Sequence, residues 1–110
     1  MTSTEFERAL AEGPFSAPFH AAAELVGRRW TGAILFALHH GLVRFGTLQE
    51  AVPGISARLL TERLRQLEEA GIVARDASGA RPRYRLTPEG DELRPVLMAL
   101  NTWAQRWMPS

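Results

Sequence analysis

The chain has 110 residues, 45% of them hydrophobic, a net charge of +1 and no cysteine. That length buries one modest core and not two. The missing cysteine excludes disulfides, thiolate metal sites and thiol redox switching. The opening Met-Thr-Ser-Thr-Glu-Phe-Glu has no basic stretch followed by an apolar one, and no apolar run nears the roughly 18 residues of a membrane span. A single soluble cytoplasmic domain over residues 1–110 is the expectation, with no membrane partner.

In chain order, residues 5–12 place Phe6, Ala9 and Leu10 on one side of a short helix that Gly13-Pro14 ends. Pro18 suits the first turn of a second helix reaching about Val26, with Ala22, Leu25 and Val26 inward and Gly27 closing it. A third is predicted over residues 30–40, where Ile34, Leu35 and Leu38 recur at helical spacing and Gly41 takes the left-handed position after the end. Residues 43–45 are a candidate very short strand, and residues 47–52 a helix of barely two turns.

Pro53-Gly54 is a turn dipeptide, and Ser56 is the natural N-cap of a longer helix. Glutamate is absent three residues on, where Leu59 stands, so no full capping box forms. In this helix Leu60, Leu64, Leu67 and Gly71 share one apolar stripe, while Arg58, Thr61, Glu62 and Arg65 point away from it. Short helix, tight turn and longer two-faced helix make a helix-turn-helix over residues 46–71. A rod anchored by leucines, with arginine, serine and threonine near its free N-terminus, is suited to lie in a DNA groove.

After Gly71 the period changes to about two residues. Residues 72–87 read as a β-hairpin, or wing, with Tyr84 and Leu86 inward, Arg81, Arg83 and Arg85 outward, and Pro82 at an edge or near the tip. Thr87-Pro88 then starts a helix predicted to run to about Trp107, roughly 30 Å long. Its stripe of Leu93, Val96, Leu97, Leu100, Trp103, Ala104 and Trp107 is wider than one neighbour in a small domain covers, so a second subunit is expected to cover it. The fold class is α+β, mainly α.

Charge is distributed unevenly. Residues 44–85 hold eight arginines against five acids, while the segments on either side are each at −1. Arginine without any lysine suits bidentate contacts to phosphate and guanine, and is equally what codon usage in a GC-rich genome produces. Arg58 and Arg65 are candidates for guanine or phosphate, with phosphate favoured for Arg65. The bland alternative is a solvated pair around Glu62. Ser56, Ala57 and Thr61 complete the candidate DNA-binding set on this helix; Arg81 and Arg83 join it from the wing, as phosphate or minor-groove contacts. Arg28, Arg29 and Arg44 are weaker candidates on segments that could approach the backbone.

Several stretches together resemble the HxlR-type branch of the MarR-like winged helix-turn-helix regulators. They are Leu25-Val-Gly-Arg-Arg-Trp-Thr31, Arg44-Phe-Gly-Thr-Leu48, Pro53-Gly-Ile-Ser56, Leu60-Thr-Glu-Arg-Leu-Arg-Gln-Leu-Glu68, Gly71-Ile-Val73, Tyr84-Arg-Leu-Thr87 with Gly90, and Leu93-Arg-Pro-Val-Leu97 with Leu100 and Trp103-Ala104. They stand in family order over residues 17–104. The resemblance implies a homodimeric bacterial transcription factor that binds double-stranded DNA, with a recognition helix in the major groove and a wing on the backbone or minor groove. It also implies dimerisation through an N-terminal arm (1–14) and a C-terminal helix (88–108), with Phe6, Leu10, Leu93, Leu97, Leu100, Trp103 and Trp107 as interface candidates. Ala17 stands where many family members carry a sensing cysteine, so thiol signalling does not carry over, and the wing is a few residues shorter than the common form.

The competing readings are weaker. A winged-helix module that binds protein instead of DNA fits the near-neutral total charge and the acids Glu62 and Glu69. An enzyme is disfavoured, since no nucleophile with a base, phosphate-cradling loop or metal-ligand spacing occurs, and no cofactor is implied. His20, His39 and His40 read as surface or helix-end residues. The tryptophans read as packing, with an effector pocket near Trp30, Phe36 and Trp103 as the minority alternative for an unidentified small molecule.

Overall fold

The computed structural model describes residues 2–13 and 16–110, so Pro14, half of the expected helix stop, lies outside the described residues. The element order is α1 (Ser3–Glu12), α2 (Ala17–Gly27), α3 (Thr31–His39), α4 (Phe45–Ala51), α5 (Ala57–Glu69), β1 (Val73–Asp76), β2 (Arg83–Leu86), α6 (Pro88–Asp91) and α7 (Arg94–Trp107). This is a mostly helical chain with one two-stranded antiparallel sheet, the winged helix-turn-helix architecture.

α3 is the hub, touching α2, α4, α7 and β2. Ile34, Leu35 and Leu38 of α3, Leu48 of α4, Leu60, Leu64 and Leu67 of α5, Val73 and Tyr84 of the hairpin and Leu97 of α7 form one buried cluster. The three α5 leucines are at most 1% exposed. Burying each of them contributes roughly 1.5–3 kcal/mol, which makes this seat the main determinant of where α5 lies.

The helix ends follow local chemistry. Ser56 accepts a hydrogen bond from the Leu59 N–H at 3.1 Å, the expected N-cap. Thr2 and Glu5 form a reciprocal capping box, which starts α1 two residues earlier than its apolar pattern suggests. Gly71 has φ +76° and lies beyond the end of α5. Its N–H donates to the Glu68 carbonyl at 3.0 Å and the Ile72 N–H to that of Leu67 at 2.9 Å. That pairing is a Schellman motif, so Gly71 is the terminator of the helix and an exposed residue, and not the last member of its buried stripe.

Two expected elements differ. Residues 43–45 form no strand: Phe45 already opens α4, and of their backbone the Val43 carbonyl joins the wing, accepting from the Tyr84 N–H at 2.8 Å. The helix expected over residues 88–107 is broken at Glu92-Leu93 into α6 and α7. Pro95 has no N–H to give the Asp91 carbonyl and its ring crowds that carbonyl, so the chain restarts with Pro95 in the first turn of α7.

α6 is fixed against the hairpin. The Thr87 hydroxyl accepts from the Gly90 N–H at 3.1 Å and donates to the carbonyls of Gly71 and Ile72. A Cβ on Gly90 would stand 2.2 Å from the Ile72 carbonyl oxygen, a backbone atom that cannot rotate away.

The chain is extended, 58 × 36 × 22 Å with a radius of gyration of 16.4 Å. A compact chain of this length has about 13 Å. Its accessible surface of 7844 Å² exceeds by about 1,800 Å² the value for a compact monomer of 12.2 kDa. α1 and α2 contain no buried residue and α7 only Leu97.

Gly90→Ala is expected to lower stability by about 1–3 kcal/mol through overpacking. Leu64→Ala should cost about 2–5 kcal/mol by opening a cavity under α5. Urea unfolding followed by circular dichroism at fixed protein concentration measures both, and a change below about 0.5 kcal/mol in either would contradict the packing described.

Candidate nucleic-acid interface

The face of α5 opposite its leucines carries Arg58, Thr61, Glu62 and Arg65, all exposed, and Ser56 and Ala57 are exposed at its start. Among the described residues Arg58 makes no hydrogen bond or ion pair. Thr61 donates its hydroxyl to the Ala57 carbonyl one turn back at 2.9 Å. Arg65 pairs with Glu69, not with Glu62 as the solvated-pair alternative has it. Both partners are more than half exposed, and a surface i,i+4 pair of this kind contributes about 0.3–0.5 kcal/mol. That is small beside a charge-assisted bond to phosphate, so the pair is no barrier to Arg65 turning to another anion.

On the hairpin, the register sets Val73 against Leu86, Arg75 against Tyr84 and Asp76 against Arg83. Alternation then turns Tyr84 into the core, where it is 8% exposed, and leaves Arg83 and Arg85 outside. Arg81, also exposed, belongs to the connecting loop, whose base is braced by Arg44: its guanidinium donates to the Arg81 carbonyl at 2.8 Å. At the other end of the loop Asp76 accepts from the Ser78 N–H at 2.9 Å. Hydrogen bonds from Ser78, with the nearby charges of Arg83 and Arg85, hold the Asp76 carboxyl below its ordinary range.

The three weaker arginine candidates separate by their surroundings. Arg28 pairs with Glu24 at 3.1 Å. Arg44 is committed to the wing. Arg29 is exposed and its guanidinium stands 4.6 Å from the centroid of the Trp30 ring. Trp30 has φ +77°, a left-handed conformation that for a bulky residue stores about 1–3 kcal/mol of strain. Two contacts hold it there: Arg63 Nε donates to the Arg29 carbonyl at 3.0 Å, and the Trp30 ring lies within 3.4 Å of where a Cβ on Gly54 would be. Neither the Arg44 brace nor the Arg63 anchor is visible in sequence spacing, since their partners lie 37 and 34 residues away.

The residues assigned to an interface divide into two layers. Phe6, Leu10, Leu100, Trp103 and Trp107 are between 41% and 63% exposed. Leu97 is 2% exposed within the chain's own core, and Leu93 packs against that core. A cleft of about 320 Å³ runs between α2–α3 and α7, with Val26, Gly32, Phe36, Leu97, Leu100 and Asn101 in its walls. Of the three aromatic residues expected to converge on an effector, Phe36 alone lines it. Ala22, expected inward on α2, is exposed.

His40 Nδ1 lies 2.8 Å from the Phe36 carbonyl, a helix-end role, and His20 packs edge-on to Phe19. His39 ends α3, and both its ring nitrogens are buried and lack hydrogen-bond partners among the described residues, so of the two expected roles it takes the helix-end one and not the surface one. Among the described residues no three of His, Asp and Glu gather at metal-binding distance, and no helix is long and apolar enough to cross a membrane.

The family model of the HxlR-like helix-turn-helix matches residues 25–110. An uncharacterized HTH-type transcriptional regulator of Bacillus subtilis, YvaP, is 38% identical over 93 residues, covering 82% of this chain and 86% of YvaP. The HTH-type transcriptional regulator YodB of the same organism is 37% identical over 90 residues, covering 79% of this chain and 80% of YodB. The solved structure of reduced YodB superposes with a TM-score of 0.74 at 33% identity, covering 84% of this chain and 93% of that one. That of the redox regulator HypR in its reduced form gives 0.73 at 30% identity, covering 82% and 92%. These relatives are transcriptional regulators and not enzymes. An exposed helix-turn-helix surface on a fold shared with such proteins, and a family match that begins at Leu25 and runs through the wing and α7, place the chain in the HxlR-like helix-turn-helix family of transcriptional regulators.

Proposed function

We propose that the protein is a homodimeric bacterial transcriptional regulator that binds double-stranded DNA sequence-specifically in the cytoplasm, with α5 in the major groove and the wing on the backbone or minor groove. The observation that carries this reading is the division of α5. Its leucines are sealed in the protomer core, and Arg58, exposed in its first turn, has no carboxylate to satisfy it among the described residues. Arg58 reads a base edge, with Ser56 and Ala57 beside it at the helix start. Thr61 and Arg65 follow the groove wall, and Arg81 and Arg83 reach phosphates from the wing. The loop that carries Arg81 is held by Arg44 at one end and Asp76 at the other, so the wing cations are presented on an ordered support.

The dimer is supported by area. A surplus of about 1,800 Å² per protomer, doubled over two chains, falls within the range that obligate homodimers bury. Phe6, Leu10, Leu100, Trp103 and Trp107 form the contact, with Leu93 and Leu97 beneath them tying α7 to its own protomer.

One dimer should bind two half-sites about 34–36 Å apart, with affinity falling steeply between 50 and 200 mM salt. Arg58→Ala should lose about 1–3 kcal/mol of discrimination at one base position per half-site while leaving the oligomeric state intact. Fluorescence anisotropy against fragments of the protein's own promoter region, with single-base variants of any bound fragment, reads both. No binding at low salt would end the DNA reading in favour of a protein partner. For the dimer, Trp103→Asp should shift sedimentation from about 24 kDa, twice the 12.2 kDa chain, towards the monomer. A wild-type monomer at micromolar concentration would overturn this part.

A further inference from the structure

We propose that Arg29, laid over the Trp30 ring, is a clamp for a DNA backbone phosphate on the flank of α5, one per half-site. The inference rests on the DNA-binding reading above and adds a contact from outside the helix-turn-helix and the wing.

Position is the first argument. The far edge of the Trp30 ring abuts Gly54, in the turn two residues before Ser56 caps α5. The Arg29 carbonyl is held by Arg63, which leaves the α5 surface beside its leucine seat and not from its outer face. The backbone at Arg29 is therefore fixed beside α5, by the Trp30 ring against the turn that precedes the helix and by Arg63 one to two turns into it. A phosphate strand bordering the groove that α5 enters passes along this flank.

The second argument is what the guanidinium does and does not touch. It is exposed and stacked on an aromatic face 4.6 Å away, and among the described residues it has no carboxylate partner. Stacking fixes the plane of a guanidinium while leaving its N–H edge free for a bidentate oxygen pair. Its neighbour Arg28 stands in an i,i+4 pair with Glu24 and Arg44 donates to the wing carbonyls, so of these three only Arg29 is without a hydrogen-bond partner among the described residues. The left-handed backbone at Trp30 is the device that turns the ring onto Gly54, beneath Arg29.

Arg29→Gln removes the charge, and its effect is read as the slope of log affinity against log salt. With about 0.9 per phosphate and two half-sites, the slope should become shallower by about 1.8, so the affinity lost between 50 and 200 mM salt shrinks about tenfold. The ranking of operator variants should not change, and Arg29→Lys should keep the wild-type slope. A purely structural stack would lower the melting temperature without moving the slope. If Arg29→Gln melts early, Arg29→Met, which keeps an apolar stem on the ring, replaces it in the same measurement. A wild-type slope in the folded neutral variant overturns the clamp and leaves the DNA reading standing. Wild-type protein that binds no DNA overturns both.

Discussion

The burial of Leu60, Leu64 and Leu67 in the core cluster they share with α3 is the constraint on which the remaining features depend. Those side chains can be dry only if α5 lies with one face down, and that choice exposes Arg58, Thr61, Glu62 and Arg65 together. The same cluster takes in Val73 and Tyr84, so the hairpin is hung from the core that seats the helix. Helix and wing therefore keep a common frame, as the proposed docking of both on one duplex requires.

Polar contacts refine that frame where apolar packing cannot. Arg44 and the Val43 carbonyl treat the start of β2 as a strand neighbour would, although no third strand forms. Thr87 ties the chain after the wing back to the residues ending α5, and Gly90 lets α6 approach the Ile72 carbonyl. Each brings a side chain or a helix onto a backbone carbonyl of another segment, and a hydrogen bond of this kind contributes a net of about 0.5–1.5 kcal/mol. Strain at Trp30 belongs to the same set: it persists because Arg63 and the Gly54 turn fix both sides of it.

The molecule has two kinds of surface. One is arginine-rich around α5 and the wing; the other is apolar along α1 and α7, where three large side chains of α7, Leu100, Trp103 and Trp107, are each more than half exposed. Their separation matters physically, since a partner on the apolar face leaves the charged face open. The break at Glu92-Leu93 sets the direction in which α7 leaves the wing and so where that apolar face points.

Much of this was legible in the residues because it is local or periodic. Ser56 and Thr87 announce caps, the leucine spacing gives the inward face of α5, and two-residue alternation gives Tyr84 inside with Arg83 and Arg85 outside. The break at Pro95 was equally written in the chain, since a missing donor acts within one turn, but the broad apolar stripe running through it suggested a continuous helix. What only the tertiary structure decided are choices among distant or competing partners: Arg44 on the wing, Arg63 on the Arg29 carbonyl, Arg65 with Glu69 over Glu62, Leu97 inside the protomer while Leu100 stays out. Periodicity tells which way a side chain faces on its own helix, whereas the partner it meets depends on how elements tens of residues apart come together, and that is settled by packing the whole core at once.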